Sequence, residues 1–285
     1  MPSPDLNTQS LHSHLAGLPL GPIRFFDQID STNLEAGRWI AEGAPDLSLV
    51  VADEQTAGRG RLNRRWFTPP GTSLAFSLVL RGGTLPIGSP DAGIDPGMLS
   101  MRLTALGALS VSLALAADYG LSPEIKWPND VLLQRQKTAG ILVEGHWQGE
   151  QLEAAILGIG INIAPASVPP DEQIAFPATC VEAAVGRPVA RLHFLRSVIE
   201  NLLAWRERLR EPLFITTWDR YLAFKGEWVT ISQDGTSGGP ASQTAILTGL
   251  DDLGRLRLRD RADQEFRIVS GELNLRPAAT RSVED

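Results

Sequence analysis

"SLVVADEQTAGRGRLNRRWFTPPGTSLAFSLVL", residues 48–80, decides how this chain folds. Its two ends, 48–55 and 72–80, are apolar runs rich in β-branched and aromatic residues and read as strands, so the stretch between them is a loop. That loop carries four arginines, Arg59, Arg61, Arg64 and Arg65, in a chain whose formal net charge is -7. Loops held on strands are where binding residues concentrate. Gly58 and Gly60 let the backbone turn sharply and approach a ligand. Arg59, Arg61 and Arg64 can surround an anion with forked donors, and Trp66 offers a flat face for a ring.

The flanking sequence supplies the rest of a mixed α/β unit. Residues 23–29 read as a short strand and "STNLEAGRWIAEG" (31–43) as a helix with Thr32 as N-cap and Glu35 closing a capping box. A Gly/Pro-rich connector, 81–97, leads to "GMLSMRLTALGALSVSLALAADYG" (97–120). Arg102 and the scattered Ser and Thr make this a helix buried in a core rather than a membrane span. "EIKWPNDVLLQ" (124–134), "TAGILVEGHW" (138–147) and "LEAAILGIGINI" (152–163) continue the sheet, the last two joined by a polar turn. Residues 165–177 read as a loop and 191–210 as an amphipathic helix. Beyond Lys225, four short alternating runs with Gly/Asp turns predict a small barrel. Residues before Arg24 lack a basic n-region and are broken by Pro and Gly, so they read as a tail and not as a secretory signal.

Composition removes several classes of function. The net negative charge argues against general attraction to nucleic acid or an anionic membrane. The single cysteine, Cys180, cannot form an intramolecular disulfide; it fits a reducing cytosol and reads as a buried structural thiol. "GRGRLN" and "GIGINI" lack the third glycine of a dinucleotide fingerprint, no GxxxxGK[ST] loop is present, and the four histidines are too scattered for a metal site. The chain has only three lysines, and Lys126 and Lys137 lie close together in the strands after the long helix. A compact, strongly hydrated ammonium is the property that distinguishes them from the abundant arginines.

"GRGRLNRRW", "KWPND", "KTAGILVEG" and "GIGINI", in this order and at these separations, resemble the biotin protein ligases. With the upstream "STN", Gln55 and the C-terminal barrel, the similarity extends from about residue 23 to 276. The resemblance implies an α/β (α+β) catalytic domain of the class II aminoacyl-tRNA synthetase/biotin ligase-like fold with a mixed sheet over 23–222. It further implies an SH3-like β-barrel over 223–278, between an N-terminal tail (1–22) and a C-terminal one (279–285). The implied activity uses ATP to convert biotin into biotinyl-5'-AMP and passes the biotinyl group to a lysine of a biotin carboxyl carrier domain.

By the same resemblance, Ser31, Thr32, Asn33 and Gln55 bind the ureido end of biotin. Arg59, Gly60 and Arg61 follow its tail and the adenylate phosphate, Gly158 lies against the ligand, and Lys137 meets the biotin carboxyl and the phosphate oxygen. Arg61, Lys126 and Lys137 are the expected catalytic groups. Arg64, Trp66, Lys126, Asn129, Asn162 and Arg276 fall on the ATP/adenylate side, and Asp130 is the candidate ligand for Mg2+.

Two other readings remain open: a lipoate ligase of the same chemistry, and a non-catalytic nucleotide- or RNA-binding module built on the arginine loop. With about 22 residues before Arg24 there is no room for a winged helix, and no DNA binding is expected. The expected setting is cytoplasmic, without membrane contact. Two subunits could pair through a free edge of the mixed sheet to form a homodimer, but the sequence does not select the edge. The arginine loop, with its glycines and solvent-seeking side chains, is expected to be ordered only with ligand.

Overall fold

The structure is a computed structural model that describes residues 6–85, 96–149, 151–170, 174, 176–233, 243–268 and 273–277, the last group by backbone alone. In chain order the elements are α1 (Thr8–His14), β1 (Ile23–Ile29), α2 (Thr32–Ala41), β2 (Leu49–Gln55), β3 (Ser73–Arg81) and α3 (Pro96–Tyr119). There follow β4 (Glu124–Lys126), β5 (Asp130–Leu133), β6 (Gln136–Gln148), β7 (Gln151–Asn162), α4 (Val181–Val185), α5 (Arg191–Arg206) and α6 (Pro212–Arg220). The chain closes with β8 (Trp228–Gln233), β9 (Gln243–Leu250), β10 (Leu256–Arg259), β11 (Glu265–Ile268) and β12 (Leu273–Pro277).

Seven strands form one mixed sheet in the order β1-β2-β3-β7-β6-β5-β4. Only β1 and β2 are parallel, as α2 crosses between them; every other neighbouring pair is antiparallel. The period-2 alternation of side chains sends Leu74, Phe76, Leu78, Leu157, Ile159 and Ile161 to one face, where α3 and α5 complete the main core. It sends Val50, Val79, Ala154 and Ile156 to the other face, where they meet Ala36, Trp39 and Ile40 of α2. The apolar 97–120 run is therefore the core helix expected of it, covered by the sheet and α5.

The outer edge of β4 is covered by the 221–223 segment through Ile125 N–H to Tyr221 O and Ala223 N–H to Ile125 O. That leaves β1 as the edge no other described strand covers.

A second, five-stranded antiparallel sheet, in the order β11-β10-β9-β8-β12, follows α6. Its Val229, Ala245, Leu247, Leu256 and Leu258 are continuous with the main core. Two hydrogen-bonding anchors reinforce this contact. Arg102 of α3, 7% exposed, donates to the carbonyls of Leu209 and Asp252, and the buried Trp127 indole N–H donates to Gly254 O at 3.1 Å. Burial draws the Arg102 guanidinium below its ordinary pKa.

Three local readings differ from the structure. Ser31, not Thr32, is the N-cap of α2, and its side chain makes no cap bond. Thr32 is turned instead toward Gln55 and Ser77, and Glu35 is spent on Arg24 and Arg38, so no capping box forms. The expected N-terminal tail contains α1, capped reciprocally by Asn7 and Ser10, with Leu11 and Leu15 buried in the main core and Arg196 of α5 holding the His14 and Ala16 carbonyls. α6, absent from the sequence reading, begins with a proline at its first turn and buries Phe214 and Trp218. Cys180 is buried as expected, and burial pushes its thiol pKa up.

Candidate active site

The cavity lies on the α2 face of the large sheet, and its floor follows from strand register. Ser77, Gly158 and Leu142 form one cross-strand row; Ala75, Gly160, Gly140 and Asp130 form the next. The glycines make the floor shallow. A Cβ on Gly158 would sit 2.0 Å from Asn33 Oδ1, and one on Gly160 would sit 2.3 Å from the Trp66 indole nitrogen. One on Gly140 would meet the same indole at 3.0 Å. Both β7 glycines thus admit protein side chains, Asn33 and Trp66, and both line the cavity.

The arginine loop covers this floor. Gly60 N–H bonds to Arg64 O at 2.8 Å, Trp66 N–H to Gly58 O at 2.9 Å, and the Arg65 guanidinium to Thr56 O at 2.6 Å. The left-handed residues of the turn are Leu62 and Asn63, at φ 59° and 57°, and not the glycines. Gly58 is needed for space, since its Cβ would fall 2.4 Å from the Trp66 carbonyl oxygen. Arg59 pairs with Glu144 at 2.9 Å, and Arg61 donates to Asn129 Oδ1 at 3.1 Å, while Arg64 lines the cavity. The Trp66 indole N–H is buried with no hydrogen-bond partner among the described residues.

At one end stand Ser31, Thr32, Asn33 and Gln55, where α2 begins and β2 ends. Gln55 Oε1 accepts from Thr32 N–H at 2.8 Å, and its amide donates to Thr68 Oγ1 at 3.1 Å. At the other end the Asp130 carboxylate is 2.6 Å from Lys137 Nζ and 3.9 Å from Lys126 Nζ, and accepts from Asn129 at 3.0 Å. Lys126, 9% exposed, also lies 4.3 Å from the centroid of the Phe176 ring. Asn162, on the rim of the floor, donates to Thr179 O at 3.1 Å.

Among the described residues, the cavity of about 750 Å3 is lined by six cationic residues, Arg59, Arg61, Arg64, Arg65, Lys126 and Lys137, and by a single carboxylate, Asp130. This fits a ligand that is anionic at one end and hydrogen-bonds at the other. Asp130, already shared by two ammonium groups, cannot hold a divalent cation unaided. The donor set fits Mg2+ only when phosphate oxygens and water supply most of its ligands.

Every sequence-predicted site residue lines this cavity except Arg276, whose side chain lies outside the described residues. Sequence reasoning missed Ser77, Glu144, Gly140 and Phe176. Ser77 had a signal, being a polar residue inside the apolar run of β3, and Glu144 stood inside a quoted motif. Phe176 had none, because it arrives from a loop distant in sequence.

Residues 25–162 match the biotin/lipoate A/B protein ligase family. The biotin--[acetyl-CoA-carboxylase] ligase of Paracoccus denitrificans is 36% identical over 245 residues, spanning 83% of this chain and 93% of its own length. The bifunctional ligase/repressor BirA of Bacillus spizizenii is 34% identical over 206 residues, 72% of this chain, and the match spans only 57% of that relative. Among solved structures, the biotin protein ligase from Aquifex aeolicus in complex with biotin and ATP superposes with a TM-score of 0.70 at 29% identity. That match covers 90% of this chain and 99% of the other. The fold, the cationic pocket under the arginine loop and these likenesses agree: the chain belongs to the biotin protein ligase family.

Proposed function

We propose that the chain is an ATP-dependent biotin–protein ligase that forms biotinyl-5'-AMP and transfers the biotinyl group to a lysine of a biotin carboxyl carrier domain. The observation that carries this reading is the division of one cavity between a hydrogen-bonding end at Thr32 and Gln55 and a cationic end at Arg61, Lys126 and Lys137. Biotin has the same division: a ureido ring that needs placed donors and acceptors, and a carboxylate that must meet a phosphate.

In the first step a biotin carboxylate oxygen attacks the α-phosphorus of ATP, the bond to the bridging oxygen breaks, and pyrophosphate leaves. Two anions must approach, and the barrier falls where fixed cations face the developing charge. In this reading Lys137 holds the carboxylate and the non-bridging phosphate oxygen, and Arg61, bonded to Asn129, holds the phosphate. Arg64, Trp66, Asn162 and Lys126 receive the nucleotide, together with Arg276. Asp130 is the residue that would help to hold a Mg2+ bound with the triphosphate, and such an ion would supply charge neutralisation for the leaving pyrophosphate. In the second step the acceptor amine attacks the mixed-anhydride carbonyl, AMP departs, and the amine loses a proton to water. Until then the arginine loop screens the adenylate from hydrolysis.

Residues 23–222 form the catalytic domain in this reading. Residues 223–278 form an SH3-like domain that supports the pocket through Trp127 and helps to dock the acceptor.

The test is to mix the purified protein with Mg-ATP and either biotin or lipoate, and to follow pyrophosphate release and the mass of the adenylate. Release with biotin alone is expected. Release with lipoate alone would replace the substrate while keeping the chemistry, and silence with both in folded protein would favour a binding module.

A further inference from the structure

We propose that Glu144 is the positioning residue that sets the donor–acceptor sense of the biotin end of the pocket. It acts from behind the lining through Asn33 and Ser77, and the inference rests on the reading of that end as a biotin site.

Glu144 and Ser77 do not line the cavity, whereas Thr32, Asn33 and Gln55 do. Glu144 Oε2 receives the Asn33 amide at 2.7 Å. A carboxylate only accepts, so the nitrogen of Asn33 must face Glu144 and its oxygen must face the other way, toward Ser77. Asn33 Oδ1 lies 2.6 Å from Ser77 Oγ, and an amide oxygen cannot donate, so the single hydroxyl proton of Ser77 is committed to Asn33. Ser77 can then only accept from Thr32, whose Oγ1 is 2.8 Å away. The polarity runs one way: Thr32 donates to Ser77, Ser77 to Asn33, and Asn33 to Glu144.

The consequence falls on the pocket. The single Thr32 proton has two acceptors in reach, Ser77 Oγ at 2.8 Å and Gln55 Oε1 at 3.1 Å; with the Ser77 proton on Asn33 the shorter contact takes it, and Gln55 Oε1 has no proton to give. Two oxygens with unclaimed lone pairs thus lie side by side at the cavity wall. Their partner must bring N–H groups, as a cyclic urea does. The same carboxylate holds Arg59 at 2.9 Å, which links the arginine loop to this end of the cavity.

Glu144→Gln keeps the shape but lets the amide turn round. If Gln donates to Asn33 Oδ1, the nitrogen of Asn33 faces Ser77, and the Ser77 proton turns to Thr32. Thr32 then donates to Gln55, and the acceptor pair is lost.

The test measures biotin binding by calorimetry, without ATP, to wild type, Glu144→Gln, Ser77→Ala, Arg59→Ala and the two doubles containing Glu144→Gln. The expected result is a roughly tenfold rise in biotin Kd for Glu144→Gln, the loss of one well-placed acceptor. That loss should persist in the Arg59→Ala background and vanish in the Ser77→Ala background. ATP affinity should not change. Wild-type binding of biotin with Glu144→Gln equal to it would overturn the inference alone. An undiminished loss on top of Ser77→Ala would do the same, since the effect would not then pass along the chain. A wild-type chain that does not bind biotin would overturn the functional reading first, and this inference with it.

Discussion

Lys137 Nζ stands 2.6 Å from Asp130 Oδ1, and Lys126 Nζ stands 3.9 Å from Oδ2 of the same carboxylate. Two lysines 11 positions apart in sequence are brought to one anion because β4, β5 and β6 are consecutive neighbours in the sheet. Asp130 thereby fixes the position of both ammonium groups, and a reacting carboxylate and phosphate would take over charge that Asp130 holds.

Lys137→Ala is therefore expected to slow adenylate formation far more than it weakens ATP binding. A fixed charge at a developing anion contributes on the order of 100- to 1000-fold in rate. Single-turnover formation of the adenylate, set beside calorimetric ATP binding, checks this. Equal losses in both would make Lys137 a nucleotide ligand only.

Arg61→Ala removes a guanidinium that Asn129 Oδ1 holds at 3.1 Å over the cavity. Loss of at least one charge-assisted hydrogen bond costs roughly 1.5 to 3 kcal/mol, or about 10- to 150-fold in adenylate affinity. Binding of a non-hydrolysable biotinyl-adenylate analogue measures it. Undiminished affinity would place the phosphate elsewhere.

Much of the large sheet was legible in the sequence because its strands are continuous apolar runs bounded by turns. The predicted strand 23–29 coincides with β1, and 152–163 overlaps β7, Gln151–Asn162, almost end to end. The site was legible through its cations and glycines, which stand out against an acidic chain. What the sequence concealed is of a different kind. Thr32 could equally cap a helix or face a pocket, and only the register that brings Ser77 beneath it decides. The role of Gly160 is defined by Trp66, 94 residues away, and no local pattern announces that contact. α1 was read as a tail because 7 residues are too few for periodicity to show, although Leu11 and Leu15 bury it.

Gly160→Ala tests the fit between floor and indole. The new methyl would fall 2.3 Å from the Trp66 ring, against a strand backbone that is fixed on both sides by β3 and β6. The indole must move, so adenylation is expected to fall at least tenfold, while the urea midpoint drops by far less than for a core cavity mutant. Near-UV circular dichroism, which reports the tryptophan environment, should change with it. Wild-type activity would show that the indole is free to leave the floor at no cost.

Trp127→Phe tests how the second sheet supports the pocket. The substitution keeps an aromatic ring in the core but removes the N–H that reaches Gly254 O at 3.1 Å, leaving that carbonyl without its described side-chain partner. An unsatisfied buried acceptor costs about 1 to 3 kcal/mol. Because Trp127 lies between the Lys126 and Asn129 contacts of the cavity, ATP affinity should weaken along with Tm. A lowered Tm with unchanged ATP affinity would confine the bond to a structural role.

Asp251 gives the same turn a pH dependence. Burial pushes its carboxyl pKa up, but the Arg255 N–H and guanidinium and the Leu253 N–H outweigh this and hold it below the ordinary value of 3.8. A folded-state pKa below the unfolded one contributes stability that is fully present above the unfolded pKa and is lost as pH falls through the folded value. Asp251 stabilises the turn at neutral pH, and that contribution begins to fall near about pH 4 and is lost as the pH drops through the lower folded value. Asp251→Asn should therefore lower the urea midpoint at pH 7, and the difference from wild type should shrink as the pH is taken from 5 toward 3. A difference that stays constant across that range would mean that the charge of Asp251 contributes nothing and only its hydrogen bonds matter.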